Sequence, residues 1–456
     1  MSESWIPDRW RRRLVQLALG GTASIVATAV ATNLLRIVSS VTLTRLLDAR
    51  AFGIVGIVTS VAIILQLVSD IGVLPFVVRH ERGDDRKFLD EIWTLRLIRS
   101  TALTLIMLAL AVPVAHFLEK PEFGLILAVW SLNFVIDGLS SMAFATAIRE
   151  QTLWRLTLAE LAASVAQLAI AILLAVLFRS YWALLIAMLV SAVLKALFSY
   201  AFFPNSRRRW SLSRERMREM WAFSRFIAPS SLMTVLILQA DKVVLAKLMP
   251  LATFGLYAVA ATLSAAGPAL AISYARRVLY PAYAEAFRTS PDRLREIYYR
   301  KRRLMTLLYM AAMGAVGGGA QLIVAVLYDA RYLSVAPYLQ LLCVSATLAL
   351  ANTAAEEALI AAGNVRATLF ANLTRMIWLV ACVTATLLTG RTMLLVAGFG
   401  LMEVAAMATL WFSLRRLGLF NFREEILGLM GGGLGAAVGC FVAWAGFAVL
   451  PSLVGQ

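Results

Sequence analysis

Eleven ionisable side chains sit inside stretches that are otherwise apolar. They are Arg36, Lys195, Lys242 and Arg375, with Asp70, Asp137, Glu160, Asp241, Glu356, Glu357 and Glu403. At mid-bilayer each would cost at least about 2.5–3.5 kcal/mol facing lipid. They should therefore face a hydrated cavity, a helix interface or one another. Arg36, Lys242 and Arg375 can bind an anion, and a guanidinium offers two oxygens a fork of donors at once. Asp137 and Glu403 fall near the middles of their stretches. An isolated carboxylate there can carry a proton or hold Na⁺; the plainer alternative is a pair with a nearby Arg or hydroxyl. Glu356 and Glu357 are neighbours, and adjacent helix positions point about 100° apart. At most one of them points straight into a cavity. Asp70, before Ile71-Gly72, is expected to pair with a loop Arg. Glu160 and Lys195 lie toward span ends, where pairing or snorkelling suffices.

Other chemistry lacks material. His80 and His116 lie near opposite ends of different helices, and Cys343, Cys382 and Cys440 are far apart in apolar runs. No CxxC pair, His-based metal site or Ser/His/Asp triad can be assembled, so neither a metal nor a cofactor is expected. The 456 residues are 61% apolar and 15% charged, with a net charge of +17. Soluble domains are about half apolar and a quarter charged. A soluble enzyme, a disordered chain and a disulfide scaffold are excluded. A nucleic-acid binder is a poor fit, because long stretches carry no charge at all.

The elements that must hold these side chains are membrane helices. A span needs about 20 mostly apolar residues. Thirteen such stretches occur, near 15–45, 51–77, 97–118, 122–147, 153–178, 181–203, 222–248, 251–275, 303–327, 334–361, 366–389, 391–414 and 426–450. The apolar run after SWIPDRWRRR is too long for the roughly 7–15-residue core of a cleaved leader. It reads as the first span. With the N-terminus inside, the inner segments carry 32 Lys and Arg and the outer links 7. The positive-inside rule then gives an N-in, multi-pass inner-membrane protein.

The chain also repeats itself. Residues 45–61, RLLDARAFGIVGIVTSV, align with 247–263, KLMPLATFGLYAVAATL, and Phe52-Gly53 matches Phe254-Gly255 at an offset of 202. Both pairs sit at the outer turn between the first two spans of a half. Spans 1–6 and 7–12 then form two parallel six-helix halves. The expected division is an N-terminal lobe over 1–203, a cytoplasmic amphipathic linker over 204–221, a C-terminal lobe over 222–416 and an additional helix over 417–456. SRRRWSLSRERMREMWAFSR at 206–225 reads as a cationic amphipathic helix on the anionic leaflet. Gly431, Gly435 and Gly439 form a GxxxGxxxG face for close packing. Pro113 and Pro268 are expected to kink spans 3 and 8.

Several of these segments carry a family likeness. LTRLLDARAFGIVGI…SDIGVLPFVVR, LQADKVVLAKLMPLATFGLYAVA, ARRVLYPAYAEA and YLSVAPYLQLLCVSATLALANTAAEEALIAAGNVRATL resemble, in that order, segments of polysaccharide transporters. These are the Wzx-like flippases of the MOP superfamily. The likeness extends to about residue 416.

The resemblance implies an all-α polytopic protein, with two six-helix lobes around a central cavity and one extra C-terminal helix here. It implies translocation of an undecaprenyl-pyrophosphate-linked oligosaccharide by alternating access, for O-antigen, capsule or exopolysaccharide. A polymerase, a chain-length regulator, membrane lipids and H⁺ or Na⁺ coupling are the partners it suggests. Arg36, with Lys242 or Arg375, then cradles the pyrophosphate. Asp241, Asp137, Glu403, Glu356, Glu357 and Asp70 serve gating or ion coupling. An Arg36–Asp241 salt bridge that locks the outer gate remains an equal alternative, since 241 less the 202 offset falls one turn from Arg36. Two other functions stay open. One is a cation-coupled small-molecule exporter of the MATE type. The other is a membrane polymerase or ligase, which the short outer links disfavour.

Overall fold

The computed structural model describes residues 21–150, 153–203, 206–289 and 293–449, without the side chains of 21–30, 153 and 225–231. The basic segment SWIPDRWRRR lies outside the described residues. Among the described residues every regular element is helical. In hydrocarbon, a helix satisfies its own backbone polar groups.

Helices α1 (Gly21–Leu46) and α2 (Ala49–Val68) form a hairpin. Asp48 starts α2 by accepting the Ala51 N–H at 3.0 Å. A short α3 (Val73–Arg79) leads to α4 (Arg86–Phe117), which runs unbroken through Pro113. Next come α5 (Phe123–Trp130), α6 (Leu132–Leu139), α7 (Ala143–Arg149), α8 (Leu153–Phe178) and α9 (Trp182–Ala201). Among the described residues the longest single helix is α10 (Arg214–Leu248). It precedes α11 (Leu251–Ser264), α12 (Ala266–Tyr274), a π-turn at Ala275–Leu279 and α13 (Tyr280–Thr289). Pro268 falls in the first turn of α12, where no intrahelical N–H bond is lost. Then follow α14 (Leu294–Gly318), α15 (Ala320–Leu327), α16 (Val335–Ala361), α17 (Val365–Thr389), α18 (Thr392–Arg416) and α19 (Phe422–Val449).

Among the described residues, nine helices are long and apolar enough to cross a membrane, and two bent pairs raise this to eleven. These coincide with eleven of the thirteen expected stretches. The other two, 15–45 and 222–248, fall on α1 and α10, which are not among the eleven. The fourth expected stretch bends by 53° between α6 and α7. Breaking a helix there frees backbone groups that hydrocarbon cannot satisfy, and serines take them up. The Ser141 N–H donates to Ser199 Oγ at 2.8 Å, and Ser141 Oγ donates to the Ser206 carbonyl at 2.6 Å. The ninth bends by 67° between α14 and α15, at Gly319.

The chain divides into two compact units, Met1–Ser39 with Val58–Val235 and Ser40–Ile57 with Leu236–Gln456. The division runs through α1, α2 and α10. In the first unit, α4 packs on α5 and α6, and α8 on α9. In the second, α16 is the central helix, packed by α11, α12, α14, α18 and the π-turn.

The GxxxGxxxG face packs as its spacing implies. A Cβ on Gly435 would overlap the Ala311 carbonyl, and one on Gly439 the Ala315 carbonyl. Reciprocally, Gly314 meets the Gly432 backbone and Gly318 the Ala436 backbone. Small residues on both helices bring α14 and α19 to backbone contact. The last helix is therefore integral to its unit.

The segment 206–225 is helical only in its second part. Residues 206–213 have no regular structure, and helix begins only at Arg214 and continues unbroken into α10. Arg208, Ser211 and Arg216 bond to α4, while Trp210 and Trp221 are exposed. The Ser211 N–H donates to Thr94 Oγ1 at 3.0 Å, and Arg208 pairs with Asp90 at 3.6 Å. Arg216 pairs with Glu91 at 3.1 Å and lies over the Phe88 ring. These bonds compete with the local hydrogen bonds that an isolated helix would need. Burial lowers the pKa of the Arg208 guanidinium, and the charge of Asp90 opposes that shift.

Candidate functional site

Three of the singled-out charges meet in one cluster of the second unit. Arg375 on α17 donates to both oxygens of Glu403 on α18, from Nε at 2.9 Å and from Nη2 at 2.8 Å. Its Nη1 donates to Glu356 Oε1 on α16 at 2.7 Å and to Asn372 Oδ1 at 2.8 Å. Asn352 Nδ2 completes the ring with a 2.7 Å bond to Glu403 Oε2. A bidentate Arg–carboxylate pair is the geometry that repays burial best. The cluster fastens α16, α17 and α18 together, and two carboxylates on one guanidinium leave a formal charge of −1. Glu403 is thus a paired carboxylate.

Asp241 on α10 is 1% exposed. It accepts a hydrogen bond from the Tyr257 hydroxyl on α11, and its Oδ1 has no hydrogen-bond partner among the described residues. Tyr257 is itself fully buried, edge-on to Tyr338. Lys242, half-buried, donates along its own helix to Gln239 Oε1 at 3.1 Å and to the Leu238 carbonyl at 3.4 Å. Arg36, on α1, is exposed.

The remaining carboxylates are placed locally. Glu357 faces Arg276 at 3.4 Å. Asp137 lies in the last turn of α6, just before the break in the fourth stretch, and meets Arg96 Nη2 at 3.0 Å. Asp70 Oδ1 accepts the Gly72 N–H at 2.9 Å, where Gly72 has φ +68°. It shapes the turn into α3, and Arg99 instead bonds the Ser69 carbonyl at 2.7 Å.

The sequence reading also missed the buried Arg302–Glu425 pair. Arg302 on α14 is 3% exposed and bonded to Glu425 on α19. Its guanidinium lies over the rings of Tyr298 and Tyr299, at 4.2 and 5.0 Å. Tyr299 also donates to Glu425 Oε1 at 3.0 Å and accepts the Asn421 N–H at 2.8 Å. The available signal was Tyr298-Tyr299, one turn before Arg302 on the same helix.

The fold defines the class: a multi-pass, all-helical membrane protein of the MATE and MurJ type. The lipid II flippase MurJ, in an inward closed conformation, shares it at a TM-score of 0.70 with 8% identity, over 94% of this chain and 100% of that one. An inward-facing multidrug resistance MATE transporter of the MOP superfamily shares it at 0.65 with 16% identity, over 85% of this chain and 94% of that one. At such identities the likeness concerns the fold alone.

Residues 42–337 match the polysaccharide biosynthesis protein family, and the chain belongs to that family. The succinoglycan biosynthesis transport protein ExoT of Rhizobium meliloti (strain 1021) is 23% identical over 316 residues, or 68% of this chain. The chain spans 62% of the length of that relative.

Proposed function

We propose that this protein is a flippase and not an enzyme. It moves undecaprenyl-pyrophosphate-linked oligosaccharide repeat units across the bacterial inner membrane by alternating access, for O-antigen, capsule or exopolysaccharide. The observation that carries this reading is family membership over residues 42–337. The transport name of the Rhizobium meliloti relative and the flippase name of a solved structure of the same fold support it. A MATE-type exporter shares the fold, so the fold does not choose between the two; the family favours polysaccharide.

In this reading the N-terminus is cytoplasmic and residues 1–203 and 222–416 are the moving lobes. Arg36 and Lys242 supply positive charge to the pyrophosphate. The bonds that Lys242 makes run along its own helix to neutral acceptors, the Leu238 carbonyl and Gln239 Oε1. Arg375 is held by Glu356 and Glu403, which makes its part in cargo binding secondary. Asp241, with an unbonded oxygen, is the first candidate for H⁺ or Na⁺ coupling, ahead of Asp137, Glu357 and Asp70. A polymerase and a chain-length regulator act downstream. Deleting the gene in its host should remove surface polysaccharide and accumulate lipid-linked repeat units. Normal polysaccharide together with a new drug sensitivity would transfer the assignment to export.

A further inference from the structure

Among the described residues, three buried arginines are matched by an acid. Arg216, Arg302 and Arg375 each meet a carboxylate. Arg277 departs from this pattern. It lies in the π-turn Ala275–Leu279, half-buried, and its Nη1 is buried without a hydrogen-bond partner among the described residues. Its neighbour Arg276 is the one directed at Glu357. The π-turn packs Ala275 and Leu279 into the core with Ala354, Ala355 and Ala358 of α16. Single π-turns recur at functional sites, and this one fixes the backbone from which two consecutive arginines diverge.

A guanidinium donor that is desolvated and unmatched costs free energy. A phosphate oxygen offsets that cost better than a neutral acceptor, and a pyrophosphate suits the fork geometry best. We propose that Arg277 is a binding residue for the phosphate or pyrophosphate of a lipid headgroup. Bulk anionic phospholipid and a polyprenyl-pyrophosphate cargo both carry such a phosphate; only the second source rests on the flippase reading.

The test uses the full chain purified in detergent, with farnesyl pyrophosphate, farnesol and phosphatidylglycerol as probes and Kd as the readout. Wild type should bind the phosphate-bearing probes and not farnesol. Arg277→Gln should weaken that binding about tenfold, as loss of one charge-assisted pair implies, whereas Arg276→Gln should change it less than about twofold. Farnesyl pyrophosphate binding about tenfold tighter than phosphatidylglycerol identifies the cargo headgroup. Equal affinity identifies bulk lipid, and the proposal then stands without the flippase reading. Unchanged affinity in Arg277→Gln, or an equal loss in both variants, overturns it. Should Arg277→Gln not fold, Arg277→Lys keeps the charge and loses the fork. It should bind farnesyl pyrophosphate more weakly than wild type, and wild-type affinity there also overturns the proposal.

Discussion

Gly53 and Gly255 occupy each other's equivalent place in the repeat. A Cβ on Gly53 would overlap the Leu251 carbonyl and lie 3.2 Å from the Gly255 nitrogen. A Cβ on Gly255 would overlap the Ala49 carbonyl and lie 3.0 Å from the Gly53 nitrogen. Ala49 and Leu251 are themselves 202 residues apart, as are the two glycines. The contact is therefore symmetric under the repeat, and Gly56 continues it by meeting Ala258, again 202 residues on. Around it, Tyr332 donates to the Leu47 carbonyl at 2.8 Å and Tyr328 bonds Ser40 at 3.0 Å.

Gly255→Val forces α2 and α11 apart at the backbone. Overpacking typically costs about 1–3 kcal/mol, and here backbone atoms must yield. The melting temperature of the purified protein should fall clearly. Gly124→Ala, where a Cβ meets nothing within 4 Å, should leave it unchanged or slightly raised.

Arg375 should behave as a clamp. Arg375→Ala leaves Glu356 and Glu403 buried without their partner, a loss of roughly 3–5 kcal/mol in known buried pairs. Thermal unfolding should register it without cargo present. A variant that melts as wild type but fails to bind a pyrophosphate lipid would instead make Arg375 a cargo residue.

The Arg302–Glu425 pair should hold the last helix in place. Glu425→Ala should cost about 3–5 kcal/mol and expose the connection at 417–421 to protease. Replacing both partners, as Arg302→Met with Glu425→Leu, should recover much of the loss, because an apolar pair leaves no buried charge unmatched. Equal cleavage of wild type and Glu425→Ala would show that the glycine face alone secures α19.

What the sequence disclosed depended on whether a signal was periodic. Phe52-Gly53 and Phe254-Gly255 repeat at a fixed offset, and Gly431, Gly435 and Gly439 recur every four residues. Both patterns correspond to backbone contacts in the fold. Apolar length located eleven stretches that can cross a membrane. The ion pairs were not legible in the same way. Arg302 sits in the run Arg300-Lys301-Arg302-Arg303, and charge alone cannot tell which of four cations turns inward. Glu425, its partner, is 123 residues away. Arg208 and Arg216 fall in the stretch expected as a cationic amphipathic helix on the leaflet, and their partners Asp90 and Glu91 lie more than 100 residues earlier on α4. The break after Asp137 carries only Ser140 and Ser141 as a mark, and serine also occurs throughout unbroken helices.

Translocation in reconstituted vesicles decides whether this protein moves lipid-linked oligosaccharide. Purified protein is placed in liposomes with a fluorescent undecaprenyl-pyrophosphate oligosaccharide, and the fraction moved between leaflets is followed by quencher access. The account predicts protein-dependent movement that drops at least about tenfold in Arg36→Ala, the loss expected for a charge-assisted contact to the pyrophosphate, with the variant's melting temperature preserved. No movement above empty liposomes, alongside uptake of an organic cation by the same vesicles, would contradict it.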